Sequence, residues 1–220
     1  MINYLCSRIY RPENGWDPVS GQNAARYSVY EWNSVNDELI NKLDSWVGGL
    51  SGKQVLDLGG GAGQYSVAFA KRGANVTWYD VSNNYRKIAQ KKAAKYGVTI
   101  RFAIGYLDEA CRHLPQHYDL VFNRICWYYG FNDYSFSEVI YALVRPGGVG
   151  YVDTTHSGYK RKQLTVSSRL RTWLNDHLAI KIGHPYPPHG RLAKLFVQKP
   201  VKYLFVDYSS PENDRLLFVK

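Results

Sequence analysis

Short apolar runs alternate along this chain with longer stretches of mixed polarity. The runs near 54–59, 75–80, 99–105, 118–124 and 148–154 predict strands buried on both faces, as in parallel sheets. The stretches near 64–73, 83–97 and 133–144 predict intervening helices, with Pro146-Gly147-Gly148 a sharp stop after the last. Upstream, a turn-rich arm (Arg11-Pro12-Glu13-Asn14-Gly15) leads into a predicted helix over residues 23–47. Downstream, residues 201–207 and 215–219 flank the polar turn Ser209-Ser210-Pro211-Glu212-Asn213-Asp214 and predict a hairpin. Strands alternating with helices imply an α/β fold: an open, doubly wound, mostly parallel sheet with helices on both faces and one antiparallel edge strand.

The first strand ends in a loop that carries chemistry. Val55-Leu56-Asp57-Leu58 runs into Gly59-Gly60-Gly61-Ala62-Gly63-Gln64, and the next strand ends in Asp80. Glycines at alternate positions let a ligand lie on bare backbone, and a carboxylate at the end of the second strand suits a pair of ribose hydroxyls. That combination serves a nucleoside cofactor. The spacing excludes a dinucleotide loop, because counting G-x-G-x-x-G from Gly59 or Gly61 puts Gln64 or Ser66 where the third glycine belongs. A P-loop fails as well, since Gly52-Lys53 precedes the strand.

What fits is D-x-G-x-G-x-G, led by Asp57. This resembles motif I of the class I S-adenosylmethionine-dependent methyltransferases, and Asp80 matches the acid that family places after its second strand. "YDLVF" beginning at Tyr118 resembles the family's fourth strand, and "LVRPGGVGYVD" beginning at Leu143 resembles its fifth-strand segment. The resemblance covers residues 54 to 153 and implies a Rossmann-like, seven-stranded sheet. It further implies that Asp57, Gly59, Gly61 and Gly63 shape the loop around the methionine portion and that Asp80 holds the ribose. Val81, Leu107, Asp108 and Asn123 complete the expected cofactor-binding set. The family often has an Asp directly after the third strand; this chain has Gly105-Tyr106-Leu107-Asp108. Either Asp108 reaches the adenine from further along, or the backbone of Tyr106 and Leu107 does.

Composition narrows the setting. A chain of 220 residues accommodates one domain with ample core. Its expected parts are an N-terminal arm and lid helix (1–50), a cofactor-binding core (51–155), a substrate cap (156–199) and a terminal hairpin (200–220). Cys6, Cys111 and Cys126 are widely spaced and odd in number, which points to a reducing cytoplasm and to neither a disulfide framework nor a metal motif. No apolar stretch reaches membrane-spanning length. The net charge of +10 is unevenly placed. From 156 to 199 the basic residues are Lys160, Arg161, Lys162, Arg169, Arg171, Lys181, Arg191, Lys194 and Lys199, against one acid, Asp176. Such a segment either steers an anionic acceptor, RNA included, or is a solvated helix face. Leu170, Trp173, Leu174 and Leu178 give it an amphipathic helix in both cases.

Methyl transfer from a sulfonium needs alignment and water exclusion more than acid–base chemistry, so its residues are weakly marked. The candidates follow the fourth and fifth strands: Arg124 and Tyr128 in one segment, His156 in the other, with His156 the first choice of base. His184 and His189, in a proline-rich loop, either close the pocket or owe their place to loop stiffness. No metal is expected from them, because no carboxylate or cysteine accompanies them in sequence. Tyr27, Tyr30 and Trp32 are candidates for a lid over the cofactor or for core. The expected activity is methylation of an oxygen or nitrogen of a small metabolite in the cytoplasm. The alternatives are an RNA (tRNA) methyltransferase, opposed by the missing Asn/Asp-Pro-Pro-Tyr/Phe run after Asn123, and a non-catalytic protein that binds S-adenosylmethionine.

Overall fold

A computed structural model describes residues 2–115, 117–159 and 165–220. The strands are β1 (Gln54–Leu58), β2 (Asn75–Asp80), β3 (Ile100–Ile104), β4 (Tyr118–Arg124), β5 (Val144–Thr155), β6 (Tyr203–Asp207) and β7 (Asn213–Val219). They form a seven-stranded sheet in the order β3-β2-β1-β4-β5-β7-β6. β1 is parallel to β2 and β4, β2 to β3, and β4 to β5, while β7 runs antiparallel between β5 and β6. The antiparallel strand is therefore interior, and the edge belongs to β6. Side chains explain the exchange: Leu216, Leu217 and Phe218 of β7 are buried, whereas Tyr203 and Phe205 of β6 are exposed. Strand order reverses between β1 and β4, which opens a crevice at their carboxyl ends, the place where open α/β sheets hold ligands.

Helices α1 (Ile2–Ile9), α2 (Gly21–Asn33) and α3 (Asp37–Trp46) precede the sheet. The single helix predicted over 23–47 is thus two. Asn36 accepts a bond from Leu39 N and caps α3, while the Ser34 hydroxyl turns back on Glu31 O. Both side chains offer the backbone an alternative to continuous helix. Between strands lie α4 (Gln64–Lys71), α5 (Asn83–Lys95), α6 (Ala110–His113) and α7 (Asp133–Leu143), followed after β5 by α8 (Val166–Leu178) and α9 (Arg191–Phe196). Pro146-Gly147-Gly148 does not end α7 but bulges out of β5, whose register jumps from Tyr118↔Val144 to Leu120↔Val149.

Alternation along each strand feeds two cores. Val55, Trp78, Leu120, Phe122 and Tyr151 pack beneath α3, α4 and α5 with Ile40, Leu43, Tyr65, Phe69 and Ala89. Leu56, Leu58, Tyr79, Val121 and Val152 pack on the opposite face with Trp127, Phe136, Ile140 and Phe196. Full burial of each large side chain here contributes roughly 2–3 kcal/mol. The two layers clamp the sheet from both sides and hold the carboxyl ends of β1, β2 and β4 in fixed register.

The basic segment departs from its expected character. Lys160, Arg161 and Lys162 lie outside the described residues. Of the rest, Lys181, Arg191 and Lys199 are buried. Lys181 Nζ lies 3.0 Å from Asp133 Oδ1, Arg191 bonds the carbonyls of Asn175 and Asp176, and Lys199 pairs with Glu138. These cations hold the segment onto α7 instead of facing a ligand. Arg169, Arg171 and Lys194 remain exposed. The amphipathic helix is also turned over: α8 buries Thr172 and Asn175 and exposes Leu170, Trp173 and Leu178.

Candidate cofactor and acceptor site

The loop after β1 is suspended from β2, since the N–H groups of Gly59 and Gly60 both donate to Tyr79 O at 2.7 and 3.2 Å. Gly59 has φ +84, and a Cβ there would stand 2.3 Å from Cys126 Sγ, so packing demands glycine. Gly63, the N-cap of α4, would meet Ala89 Cβ at 2.6 Å. Gly61 differs: a Cβ would approach nothing closer than Gly59 O at 4.0 Å. Its bare side faces open space, the property a cradle for a ligand requires.

Carboxylates surround this loop. Asp57 is buried at the end of β1 and accepts a 2.6 Å bond from Ser66 Oγ; burial pushes its carboxyl up to about 7 against that bond. Asp80 Oδ2 accepts from Gly61 N at 3.0 Å and Oδ1 from Ser82 N at 2.9 Å. Burial raises Asp80 as well, with the backbone bonds of Ser82 and Gly61 opposing. Each Asp80 oxygen keeps a second lone pair, enough for a ribose diol. Val81, half-buried, follows directly. Glu31 of α2 pairs with Gln64 at the start of α4. A positively charged sulfonium and amine suit an acidic basin of this kind.

Past β3, Leu107 is buried and Asp108 accepts Phe131 N at 2.8 Å through Oδ2. Asp108 Oδ1 is buried with no hydrogen-bond partner, and burial pushes the carboxyl up to about 6. An orphaned acceptor here fits an exocyclic amine, which favours Asp108 among the alternatives for adenine. Asn123 closes the far side: its Nδ2 donates to Leu58 O at 2.9 Å, and its Oδ1 is likewise buried without a partner. Bare backbone at Gly61, the Asp80 pair of acceptors and the orphaned Asp108 oxygen together fit S-adenosylmethionine.

The N-terminal arm is fastened to the same place. Asp17 accepts from Ser82 Oγ and Asn84 N at 2.9 and 2.8 Å, and Trp32 Nε1 donates to Ala62 O at 3.1 Å. Trp32 is thus both packing and tether, its ring stacked on Tyr96. Tyr27 stays 45% exposed and packs on Tyr85 of α5, while Tyr30 is exposed. Burial raises the Tyr85 phenol, and Asp80, Tyr129 and Glu31 add to it, which sets these groups around one space. Asp17, Glu31, Ser66, Ser82 and Tyr85 carry no local motif and escaped sequence reasoning. Only the Ser82 N-cap of α5 had a legible signal.

The three catalytic candidates occupy three different surroundings. Arg124 turns toward α3, its Nε 3.4 Å from Asp153 and its guanidinium over the Tyr65 ring, in an open groove shared with Asn36, Lys42, Asp207 and Arg215. Tyr128 packs tilted against Tyr129 and edge-on against Tyr186, at ring separations of 4.5 and 4.9 Å. His156 is buried after β5, its Nδ1 accepting from Gly158 N at 3.2 Å and its ring 4.7 Å from that of His189. His184, from the proline-rich loop, packs edge-on against Tyr129 at 4.9 Å. Ile125, between Arg124 and Cys126, has φ +56, a strained conformation for a β-branched residue at the mouth of the site.

Known proteins of related sequence and shape share the fold that holds this site. Residues 55–148 match a family model described as a methyltransferase domain. A ubiquinone biosynthesis O-methyltransferase of Aeromonas salmonicida is 30% identical over 126 residues, 57% of this chain and 53% of that protein. The Bordetella avium protein of the same name is 28% identical over 156 residues, 71% of this chain and 59% of its own length. The chain spans about half the length of the curated relatives it matches. Among solved structures, the N-methyltransferase NodS of Bradyrhizobium japonicum, in complex with S-adenosyl-l-homocysteine, has TM-score 0.60 at 14% identity and 84% coverage of both chains. TehB of Haemophilus influenzae has TM-score 0.59 at 15% identity, covering 85% of this chain and 63% of that one. Such distant likeness speaks for the fold, and the fold, the loop and the family match point the same way: residues 55–148 are similar to methyltransferase domains, and the loop has the form found in the class I, S-adenosylmethionine-dependent kind.

Proposed function

We propose that the protein transfers a methyl group from S-adenosylmethionine to a hydroxyl of a small molecule. The observation that carries the reading is the aromatic wall of Tyr128, Tyr129, Tyr186 and His184, which follows β4 and whose Tyr129 is near enough to feel the charge of Asp80. Aromatic walls enclose a small, largely apolar acceptor, and the curated relatives are O-methyltransferases by name. The cofactor supplies an electrophilic methyl on a sulfonium. The chain's own part is to orient it through Asp80, Asp108 and the bare face of Gly61, and to exclude water with Tyr27, Tyr85 and Tyr129.

A hydroxyl acceptor must lose its proton, and we assign that step to His184. Partial burial holds its imidazole below the ordinary value, Lys181 adds to this, and a hydrogen bond to the Tyr128 backbone opposes it. A neutral imidazole at neutral pH is a competent base. His156 is turned to His189 instead. A nucleic-acid acceptor draws little support from the basic segment, given the internal pairing of Lys181, Arg191 and Lys199. Among the described residues no helix is long and apolar enough to cross a membrane.

The test begins with calorimetric titration of S-adenosylmethionine and, separately, NAD. Binding of the first alone is expected, and its absence ends the proposal. Hydroxylated small molecules are then screened for methyl uptake, with tRNA as the competing acceptor. With an acceptor in hand, His184→Gln should abolish the acid limb of the kcat profile while sparing cofactor binding. An unchanged profile removes His184 from the reaction.

A further inference from the structure

Sequence spacing gave no reason to expect a metal, because no carboxylate stands near the histidines. The fold supplies one from far along the chain. His156 follows β5, His189 ends the proline-rich loop, and Asp214 lies at the start of β7, paired with Thr154 across the antiparallel ladder. One ligand atom from each lies within 4.8 Å of the others. We propose that His156, His189 and Asp214 form a binding site for a divalent transition-metal ion of the zinc class.

The donor set suits that class. Two imidazoles and one carboxylate match borderline ions, whereas magnesium and calcium prefer oxygen donors. The ligands are also oriented by their surroundings. Asp214 is 1% exposed, and its Oδ2 accepts Gly190 N at 2.7 Å, which aims Oδ1 at His189 Nδ1, also 2.7 Å away. His156 Nδ1 accepts the Gly158 N–H at 3.2 Å, so that nitrogen carries no proton, and an ion at Nδ1 replaces this contact. The Gly190 bond to Asp214 is an outer bond of the kind that fixes ligand geometry in metal sites. The ion takes the place of the hydrogen between His189 Nδ1 and Asp214 Oδ1, and the imidazole then carries its N–H on Nε2. His189 is half exposed (55% of its side chain), which leaves an entry path and a fourth position for water.

The position gives the ion a task. The three ligands join the end of β5, the first residues of β7 and the loop that carries His184, Tyr186 and Pro187. Pro187 O already accepts Ser157 N at 2.8 Å. An ion at this point clamps the loop to the sheet and so fixes one wall of the acceptor pocket. The metal site itself stands on its ligands and is independent of the methyltransferase reading. The other convergence of three such groups among the described residues, Glu13, Glu109 and His113, is different, because Arg11 bonds both carboxylates.

The test uses the full chain freed of metal with chelator and titrated with zinc chloride by calorimetry, with cobalt(II) as the spectroscopic probe. One equivalent should bind, with visible cobalt bands of tetrahedral character. His189→Ala, at an exposed position that leaves the core intact, should weaken zinc at least about tenfold, since even outer-shell changes cost that much. Asp214→Asn should do the same, and circular dichroism separates lost binding from lost folding. Zinc binding that is absent in the parent chain, or equal in parent and His189→Ala, overturns the site. Neither result depends on methyl transfer.

Discussion

Asp57 allows a sharp test because its carboxyl is 4% exposed and its Ser66 bond does not require a charge. Burial pushes it up to about 7, with Asp80 and Glu31 adding to the shift. An unfolded chain holds an aspartate near 3.9. The folded chain therefore keeps this proton over a window in which the unfolded chain has lost it. Between pH ~4 and pH ~7 stability must fall as pH rises, at up to ~1.4 kcal/mol per pH unit. The shift of ~3 units amounts to about 4 kcal/mol in full, of which about 3 kcal/mol falls between pH 5 and pH 8. Asp57→Asn keeps an acceptor for Ser66 and does not titrate. Urea unfolding of both chains at pH 5 and pH 8, followed by circular dichroism, isolates the effect, because Asp108 and the other carboxyls titrate alike in both. The parent chain should lose about 3 kcal/mol relative to the variant on going to pH 8. Parallel stability curves would refute the argument and show that Asp57 is ionised throughout.

Asp80→Ala removes the proposed ribose acceptor and the bond from Gly61 N, so cofactor affinity should fall by at least about tenfold, with calorimetry as the check. Gly59→Ala and Gly61→Ala should separate packing from binding. The first drives a Cβ into Cys126 and should cost about 2–4 kcal/mol in denaturant melts, the second about 1–2 kcal/mol while the cofactor is largely excluded. Lys181→Met leaves Asp133 buried beside Trp127 Nε1 without its cation, and a loss of about 3 kcal/mol is expected in urea. A loss below about 1 kcal/mol would mean that Arg191 takes over the pairing.

The sheet was legible because its strands are apolar on both faces and its punctuation is local. The turn at Gly59, Gly61 and Gly63 and the strand end at Asp80 could be placed for the same reason, since each is encoded locally. Legibility failed where a side chain's partner lies far away in sequence. Lys181 and Asp133 are 48 residues apart, and His189 and Asp214 are 25 apart. A count of charges cannot distinguish a cation paired inside from one facing solvent, so the basic segment looked like a surface. The helix broken at Ser34 and Asn36 is the converse case. Its break is encoded locally, but in capping chemistry that an apolar pattern passes over.

The Trp32 tether has a kinetic consequence. Its indole N–H holds the carbonyl of Ala62, within the loop itself, and Glu31 one residue earlier holds Gln64 at the start of α4. The arm is fastened to the backbone it covers and does not merely rest on it. Lifting α2 away from the loop must therefore break bonds to that loop, which releases the turn from part of its support at the same moment. Exchange at the proposed cofactor site is then an opening of arm and loop together, and weakening either bond is expected to shorten the residence time of the bound ligand.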